Sequence, residues 1–318
     1  MENLKQIFLF FDVDGTLISD NAKSQEDWPK ENVRILFHKN INKILQQTKG
    51  NEEIHMCLNS DSPLEVLKQF TKDFGFNEKV KFKYIAENGV VFDGFSNELQ
   101  EFIIAKNLGL SSDEIVTFKK QINDTTQQNP HSSKSIQNSL CRKEPDVTSH
   151  GFLKKEDLNK RDYNKYFYFG EGRQKSITVF SNKEFIGELG KQQWKNSSID
   201  CSPEYNFFAI HKGKDYKNSK SNAYKLILDY YSQNNKDIQI YTFGNSESDI
   251  PKNIDKKHEG KITTYIVGED SEKLETLKKT YPLIKTIYTE NDFFKALCKS
   301  TNDLLQTLQK TIYNSVSF

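Results

Sequence analysis

Two aspartates one residue apart, Asp12 and Asp14, follow directly on the apolar run Ile7 to Phe11 in the segment IFLFFDVDGTLISD. Three kinds of chemistry fit such a pair. Asp14-Gly15 favours a turn, and aspartates cap backbone amides, so a structural turn accounts for the dipeptide. A calcium loop counted from Asp12 needs Gly at its sixth position and Glu at its twelfth, where this chain has Leu17 and Lys23, and that reading fails. In the third, one carboxylate attacks as a nucleophile while its neighbour moves a proton, with a hard cation neutralising charge. The apolar run has the length and continuity of a strand buried on both faces of a parallel sheet. Ligands of open parallel sheets bind beyond the carboxyl ends of the strands, which is where Asp12 and Asp14 fall.

The elements that must position this pair can be read along the chain. A second strand is expected over Ile54 to Leu58, then a turn at Ser62-Pro63 and a helix carrying Leu64, Leu67, Phe70 and Phe74. The C-terminal third repeats the alternation, with a helix bearing Ala223, Leu226, Ile227 and Tyr230, strands Ile238 to Phe243 and Thr263 to Val267, and a closing helix at Leu304, Leu305, Leu308 and Ile312. Strands alternating with helices predict a parallel α/β sheet with right-handed crossovers.

The middle of the chain has a different pattern. Asn88-Gly89 between short apolar stretches predicts a hairpin, and Ser111 with Glu114 makes a capping-box pair opening a helix over Ile115, Phe118 and Ile122. Asn123 to Ser139 has Ile136 as its only large apolar residue and is expected to be a loop. Tyr166 to Phe169, Ser176 to Phe180 and Asn206 to His211 have strand character, so a mixed antiparallel domain is expected inside the parallel one. No internal repeat is present.

Composition excludes several classes. Forty-five basic against 44 acidic residues give a net charge of +1, so no global field draws the chain to nucleic acid. The N-terminal apolar run is far below the ~20 residues of a membrane span, and acidic Glu2 argues against a signal peptide, so stable membrane insertion is not expected. Cys57, Cys141, Cys201 and Cys298 form no C-x-x-C pair, which fits free thiols in a reducing cytoplasm. Length alone predicts about two domains.

The segment DVDGT resembles the first motif, D-x-D-G-T, of the haloacid dehalogenase (HAD) superfamily. That resemblance implies that Asp12 is the nucleophile forming an aspartyl-phosphate and Asp14 the general acid/base. Aspartate at position 14 favours the phosphatase and phosphomutase branch, since the family's transport ATPases carry Thr there. For the second motif, CLNSDSP supplies Ser60, with Asn59 the alternative if the register slips by one; Ser60 and Ser62 could equally cap the following helix. SKSNAYKLIL resembles the third-motif segment and implies a phosphate-holding Lys220, among lysines at 212, 214, 217 and 225 that also fit a solvated basic face. YTFGNSESDIPKN resembles the fourth motif, G-D-x-x-x-D, with Gly244, Asn245 and Asp249. The resemblance implies that Asp12, Asp14, Asn245 and Asp249 hold Mg²⁺, with a neutral amide at Asn245 where the family usually carries a carboxylate.

Ser60 and Lys220 lie 160 residues apart, against the ~30 of a simple βαβ unit, so a domain interrupts the sheet. In the superfamily an insertion there is the type-two cap of Cof-like sugar phosphatases, sucrose-phosphate phosphatase, mannosyl-3-phosphoglycerate phosphatase and phosphomannomutase, and AENGVVFDG resembles their cap entry. The expected fold is an α/β, Rossmann-like HAD core with a parallel sheet at 1–91 and 207–318, and an inserted α+β cap at 92–206. The expected activity is a cytoplasmic, Mg²⁺-dependent phosphatase acting on a small phosphorylated metabolite, a sugar phosphate first. A phosphomutase with the same nucleophile, a phospho-ligand binder weakened at Asn245 and a phosphoprotein phosphatase using the 123–139 segment are the alternatives. Arg173 and Lys175 fit either a second anionic group or a solvated surface, and His55 a packed strand position.

Overall fold

The computed structural model describes residues 4–47, 52–77, 80–128, 140–145, 162–163, 166–213, 219–234, 236–252, 254–258, 260–290 and 292–315. From the N-terminus the chain alternates β1 (Lys5–Phe11), α1 (Glu31–Leu45), β2 (Glu52–Asn59), α2 (Leu64–Asp73) and β3 (Phe82–Ala86), then turns back as β4 (Val91–Asp93). Next come α3 (Asn97–Ile104), α4 (Ser112–Gln128), β5 (Leu140–Pro145), β6 (Tyr166–Glu171), β7 (Ile177–Phe180), α5 (Lys183–Lys191), β8 (Ser197–Ser202) and β9 (Phe207–Lys212). The alternation resumes with α6 (Ser219–Gln233), β10 (Ile238–Gly244), β11 (Ile262–Gly268), α7 (Ser271–Thr280), β12 (Lys285–Tyr288) and α8 (Phe293–Ser315).

Seven strands form one sheet in the order β12-β11-β10-β1-β2-β3-β4. All neighbours are parallel except β3 and β4, which make the hairpin expected at Asn88-Gly89. β1 lies mid-sheet between β10 and β2, and this explains its unbroken apolar sequence. Ile7, Leu9 and Phe11 face a cluster with Phe37 and Ile41 of α1, Leu67 and Phe70 of α2, and Leu304 of α8. Phe8 and Phe10 point the opposite way, onto Leu99 and Ile103 of α3 and Ala223, Tyr224 and Ile227 of α6. Each fully buried phenylalanine contributes about 1.5–3 kcal/mol, so β1 is tied to both helical layers. A phenyl stack continues across the sheet, Phe11 on Phe243 at 4.5 Å and Phe243 on Tyr265 at 5.0 Å.

A second sheet, β5-β6-β7-β9-β8, is antiparallel except for the parallel β5–β6 pair. Phe167, Phe169, Phe208 and Ile210 on its inner face pack on Phe118 and Ile122 of α4 and Phe185 and Leu189 of α5. The fold is thus the expected one, a Rossmann-like α/β core with an α+β insertion. Strand 207–212, one of those with the strand character expected of the mixed antiparallel domain, pairs with β7 and β8, so the chain returns to the first sheet after Lys212, and β4 keeps it in that sheet through Asp93.

The polar stretch expected as a loop from Asn123 begins instead as the last turns of α4, with 129–139 outside the described residues. Thr125 donates to the Gln121 carbonyl at 3.0 Å and accepts from Gln192 Nε2 at 2.6 Å. The Gln192–Thr125 bond, with Ile122 buried behind it, ties these last turns, whose sequence beyond Ile122 gives no apolar period, to the segment after α5. No helix among the described residues is long and apolar enough to cross a membrane.

Candidate active site

Asp12 extends β1 by one residue, its amide donating to the Phe243 carbonyl at 2.9 Å. The chain then curls tightly, because the amides of Thr16, Leu17 and Ile18 all donate to the Val13 carbonyl at 3.3, 2.8 and 3.0 Å. Gly15 adopts a φ of +72° there, a conformation costly for a residue with a Cβ. The curl leaves both aspartates at the carboxyl end of the central strand. Lys220 arrives from the first turn of α6, which Ser221 pins by accepting from the Lys252 amide at 2.6 Å and donating to the Lys252 carbonyl at 2.8 Å. Asp249 arrives from the 3₁₀ turn Glu247–Asp249 that follows β10.

Three expected residues therefore meet. Lys220 Nζ donates to Asp12 Oδ1 at 2.6 Å and to Asp249 Oδ1 at 2.8 Å, and all three residues are buried. Asp249 Oδ2 accepts from the amides of Asn245 and Ser246, both at 3.2 Å, and from Ser246 Oγ at 2.9 Å. Its geometry is that of an anchor for Lys220 and the 245–249 turn, rather than of a carboxylate with an idle oxygen. Burial, then the charge of Asp249, push the Asp12 carboxyl well above the usual carboxylate range, with Lys220 opposing. Burial alone would lower Lys220, but Asp12 and Asp249 outweigh it and hold the ammonium well above its ordinary value.

Gly244 makes room for this cluster. A Cβ there would lie 2.3 Å from Asp249 Cβ and 2.4 Å from its Cγ and Oδ2, and a buried side-chain base cannot swing aside. Gly244→Ala is accordingly expected to lower the unfolding free energy by about 1–3 kcal/mol; an unchanged urea midpoint would show that the turn relaxes freely.

The remaining expected residues line the neighbouring strand end. The β1–β2 register ends at Phe11 opposite Leu58, so Asn59, fully buried, continues it beside Asp12. Ser60 is 1% exposed; its amide donates to the Ile85 carbonyl at 3.1 Å and its Oγ accepts from the Ser62 amide at 3.2 Å. That bond leaves the Ser60 hydroxyl proton to donate. Asn245 bonds through Nδ2 to Asp20 Oδ2 at 2.6 Å, a partner not foreseen because Asp20 lies 225 residues away in sequence. Burial raises the Asp20 carboxyl, and the Asn245 amide draws it back. His55 is a packing residue as expected, 4.6 Å from the Phe8 ring and 2.6 Å from Gln6 Oε1, with burial lowering it to about 4.

The insertion touches this strand end through Glu87, also not foreseen. Glu87 and Asn88 take left-handed φ values of +50° and +59°, and their amides donate to the carbonyls of Ser62 and Ser60, both at 3.1 Å. The Glu87 carboxylate, fully buried, accepts from the amides of Gln174 and Lys175 at 2.5 and 2.9 Å and from Ser176 Oγ at 2.7 Å. Arg173, in the same turn, pairs with Asp61 at 3.2 Å. Glu87 and the Arg173–Asp61 pair thus both fasten loop 60–62 to the turn 173–176. Glu87→Gln exchanges an all-acceptor group for one carrying its own donors, leaving a buried N–H unsatisfied at about 1–3 kcal/mol. Faster amide hydrogen exchange at Gln174 and Lys175 is the expected readout, and unchanged protection there would refute the fastening.

Oxygen chemistry at the strand end suits a hard cation: Asp12 brings a carboxylate and Asp14 a second carboxyl group, with the Asn245 amide following the neighbouring strand β10 and Asp249 occupied by Lys220. A second cluster joins Asp229, nine residues beyond Lys220 on α6, to Asp255 and His258 from the segment after β10. It is already neutralised: Lys257 sits 3.1 Å from Asp229, and Lys225 sits 3.2 Å from Asp255.

The fold and the strand-end residues together define a class, the Rossmann-like α/β architecture with an inserted α+β unit that the motif resemblance implied. Among solved structures the chain is similar to trehalose-6-phosphate phosphatase of Aspergillus fumigatus, with 13% identity, a TM-score of 0.42 and coverage of 95% of this chain and 94% of that one. It is also similar to sucrose-phosphatase of Synechocystis sp. PCC6803 in complex with sucrose and phosphate, with 9% identity, a TM-score of 0.42 and coverage of 95% and 99%. A third is the C-terminal domain of Candida albicans trehalose synthase regulatory protein, with 12% identity, a TM-score of 0.39 and coverage of 94% and 93%. No protein-family model and no curated protein matches the chain. Likenesses this distant carry no argument about activity, which has to come from the site itself.

Proposed function

We propose that this protein is a Mg²⁺-dependent phosphatase that hydrolyses a small phosphorylated metabolite, a sugar phosphate first, through an aspartyl-phosphate on Asp12. The observation that carries this reading is the buried Asp12–Lys220–Asp249 array at the carboxyl end of the central strand. A carboxylate withdrawn from water and held by a fixed ammonium is in position to attack, and the ammonium is in position to receive an anionic phosphoryl group.

Asp12 attacks phosphorus, the new O–P bond forming as the bond to the leaving oxygen breaks. Asp14, protonated at the outset, gives its proton to that oxygen. The Asp14 carboxylate then takes a proton from water, the resulting hydroxide adds to phosphorus, and the acyl-phosphate bond breaks to release inorganic phosphate and restore Asp12. Ser60 Oγ–H, the amides at the start of α2 and Lys220 hold the phosphoryl oxygens. Asp12, Asp14 and Asn245 would hold the cation, with Asp249 fixing Lys220 beside it; when bound, Mg²⁺ offsets the negative charge that gathers as two anions meet.

The insertion, residues 94–212 by strand membership, covers the site and supplies the leaving-group surface. A cavity of about 240 Å³ supports a small substrate: Asn88, Lys175, His211, Lys212 and Asn222 border it with groups suited to hydroxyls and anions, alongside the Glu87 carboxylate and the apolar Val90 and Leu108. The test is phosphate release from an aryl phosphate and a panel of sugar phosphates, with and without Mg²⁺. Metal-dependent release is expected, strongest for a sugar phosphate. A folded protein that releases no phosphate from any of them at high Mg²⁺ would overturn the reading in favour of a binding role.

A further inference from the structure

Where a carboxylate is expected against the cation, this chain carries Asn245, and the local geometry shows how an amide can serve there. An ionised carboxylate can only accept hydrogen bonds, so the amide end that lies 2.6 Å from Asp20 Oδ2 has to be Nδ2. Asn245 Oδ1 is thereby turned away from Asp20 as an acceptor. The main chain of Asn245 is fixed too, its amide donating to Asp249 Oδ2 at 3.2 Å.

Gly15 completes the fit. A Cβ on it would fall 1.8 Å from Asn245 Nδ2 and 2.6 Å from Asp20 Oδ1, so the aspartate and the amide occupy the space that any other residue at 15 would fill. Asp20 and Asn245 also border a cavity of about 160 Å³ whose other charged groups are Glu269, Asp270 and Lys273.

We propose that Asp20 is a positioning residue that aims the Asn245 carbonyl oxygen at the cation and returns to the site the negative charge that an aspartate at 245 would have carried. The inference rests on the metal-dependent reading above. An outer carboxylate that orients a ligand and raises its basicity is a general device of metal sites, and losing one typically weakens metal binding about 10–100-fold. The acids nearest in sequence are engaged elsewhere, Glu247 by Lys252 and Asp249 by Lys220, so that charge comes from the loop after β1.

The test is calorimetric titration of the substrate-free protein with Mn²⁺, a spectroscopically and thermodynamically tractable stand-in for Mg²⁺, with melting curves confirming that each variant is folded. Asp20→Asn is expected to lower Mn²⁺ affinity about 10–100-fold. The exchanged double variant, Asp20→Asn with Asn245→Asp, keeps one carboxylate and one amide in contact and is expected to return affinity to near the native value. Native Mn²⁺ binding that Asp20→Asn leaves unchanged would overturn this inference alone. Absence of Mn²⁺ binding by the native protein would overturn the metal-dependent reading and this inference with it.

Discussion

Lys220→Met is expected to destabilise the protein by about 3–5 kcal/mol at neutral pH, the usual consequence of stranding buried carboxylates by removing the cation that pairs with them. Asp12 and Asp249 each lose a short charge-assisted bond, 2.6 and 2.8 Å in the native protein, and face each other without neutralisation. That loss is a large share of the roughly 5–15 kcal/mol by which domains are stable. The pH dependence has a definite sign. In the native protein Lys220 is held above its ordinary range, so its contribution is fully present at neutral pH and is lost only as pH rises through that raised value. In the variant the folded-state Asp12 carboxyl, raised by burial and by Asp249 and no longer opposed by Lys220, binds its proton more tightly than in the unfolded chain, so stability should recover as pH falls. Urea unfolding between neutral and mildly acidic pH measures both effects. Lys220→Met with Asp249→Asn should recover part of the loss, since one stranded charge is removed; equal stability of single and double variants would mean the three groups are not energetically coupled.

Asp12→Asn is expected to abolish phosphate release while leaving the fold intact. Removing a covalent nucleophile costs on the order of 10⁴- to 10⁶-fold in turnover, because no other group forms the intermediate. Stability should move little, and in the favourable direction as pH rises. Burial and Asp249 raise the native Asp12 carboxyl well above its unfolded range, so the native protein loses stability as pH climbs through the window between the unfolded and folded values. The amide carries no such charge, and its oxygen still accepts from Lys220. Parallel unfolding curves and phosphate assays check the pair of outcomes; an inactive variant that is also unfolded at neutral pH would assign Asp12 a structural role instead.

Much of this was legible in the sequence because the chemistry sits on local patterns. The five apolar residues before Asp12 have the pattern of a strand buried on both faces, and the resemblance of their segments to family motifs implies Lys220 and Asp249. What escaped was set by contacts with no local signature. Ser197–Ser202 is half-buried throughout, and its alternation is confined to Ile199 and Cys201, too little to mark β8 in the sequence; β9 supplies its partner edge. Asp20 is an unremarkable loop acid until the fold brings it to Asn245, and Glu87 reads as a turn residue until its carboxylate meets three donors 87 to 89 residues further on. The departure at Asn245 was visible from its spacing, but its compensation was not, because a compensating charge can come from any loop that the sheet gathers at the same end.

The most direct measurement is to quench the protein with acid during turnover of an aryl phosphate in Mg²⁺ and locate the added phosphoryl mass by peptide mass spectrometry. The account predicts it on the peptide containing Asp12, labile to base, and absent from Asp12→Asn. A turning-over enzyme with no phosphoryl group on that peptide, or with one on another residue, would contradict the central claim.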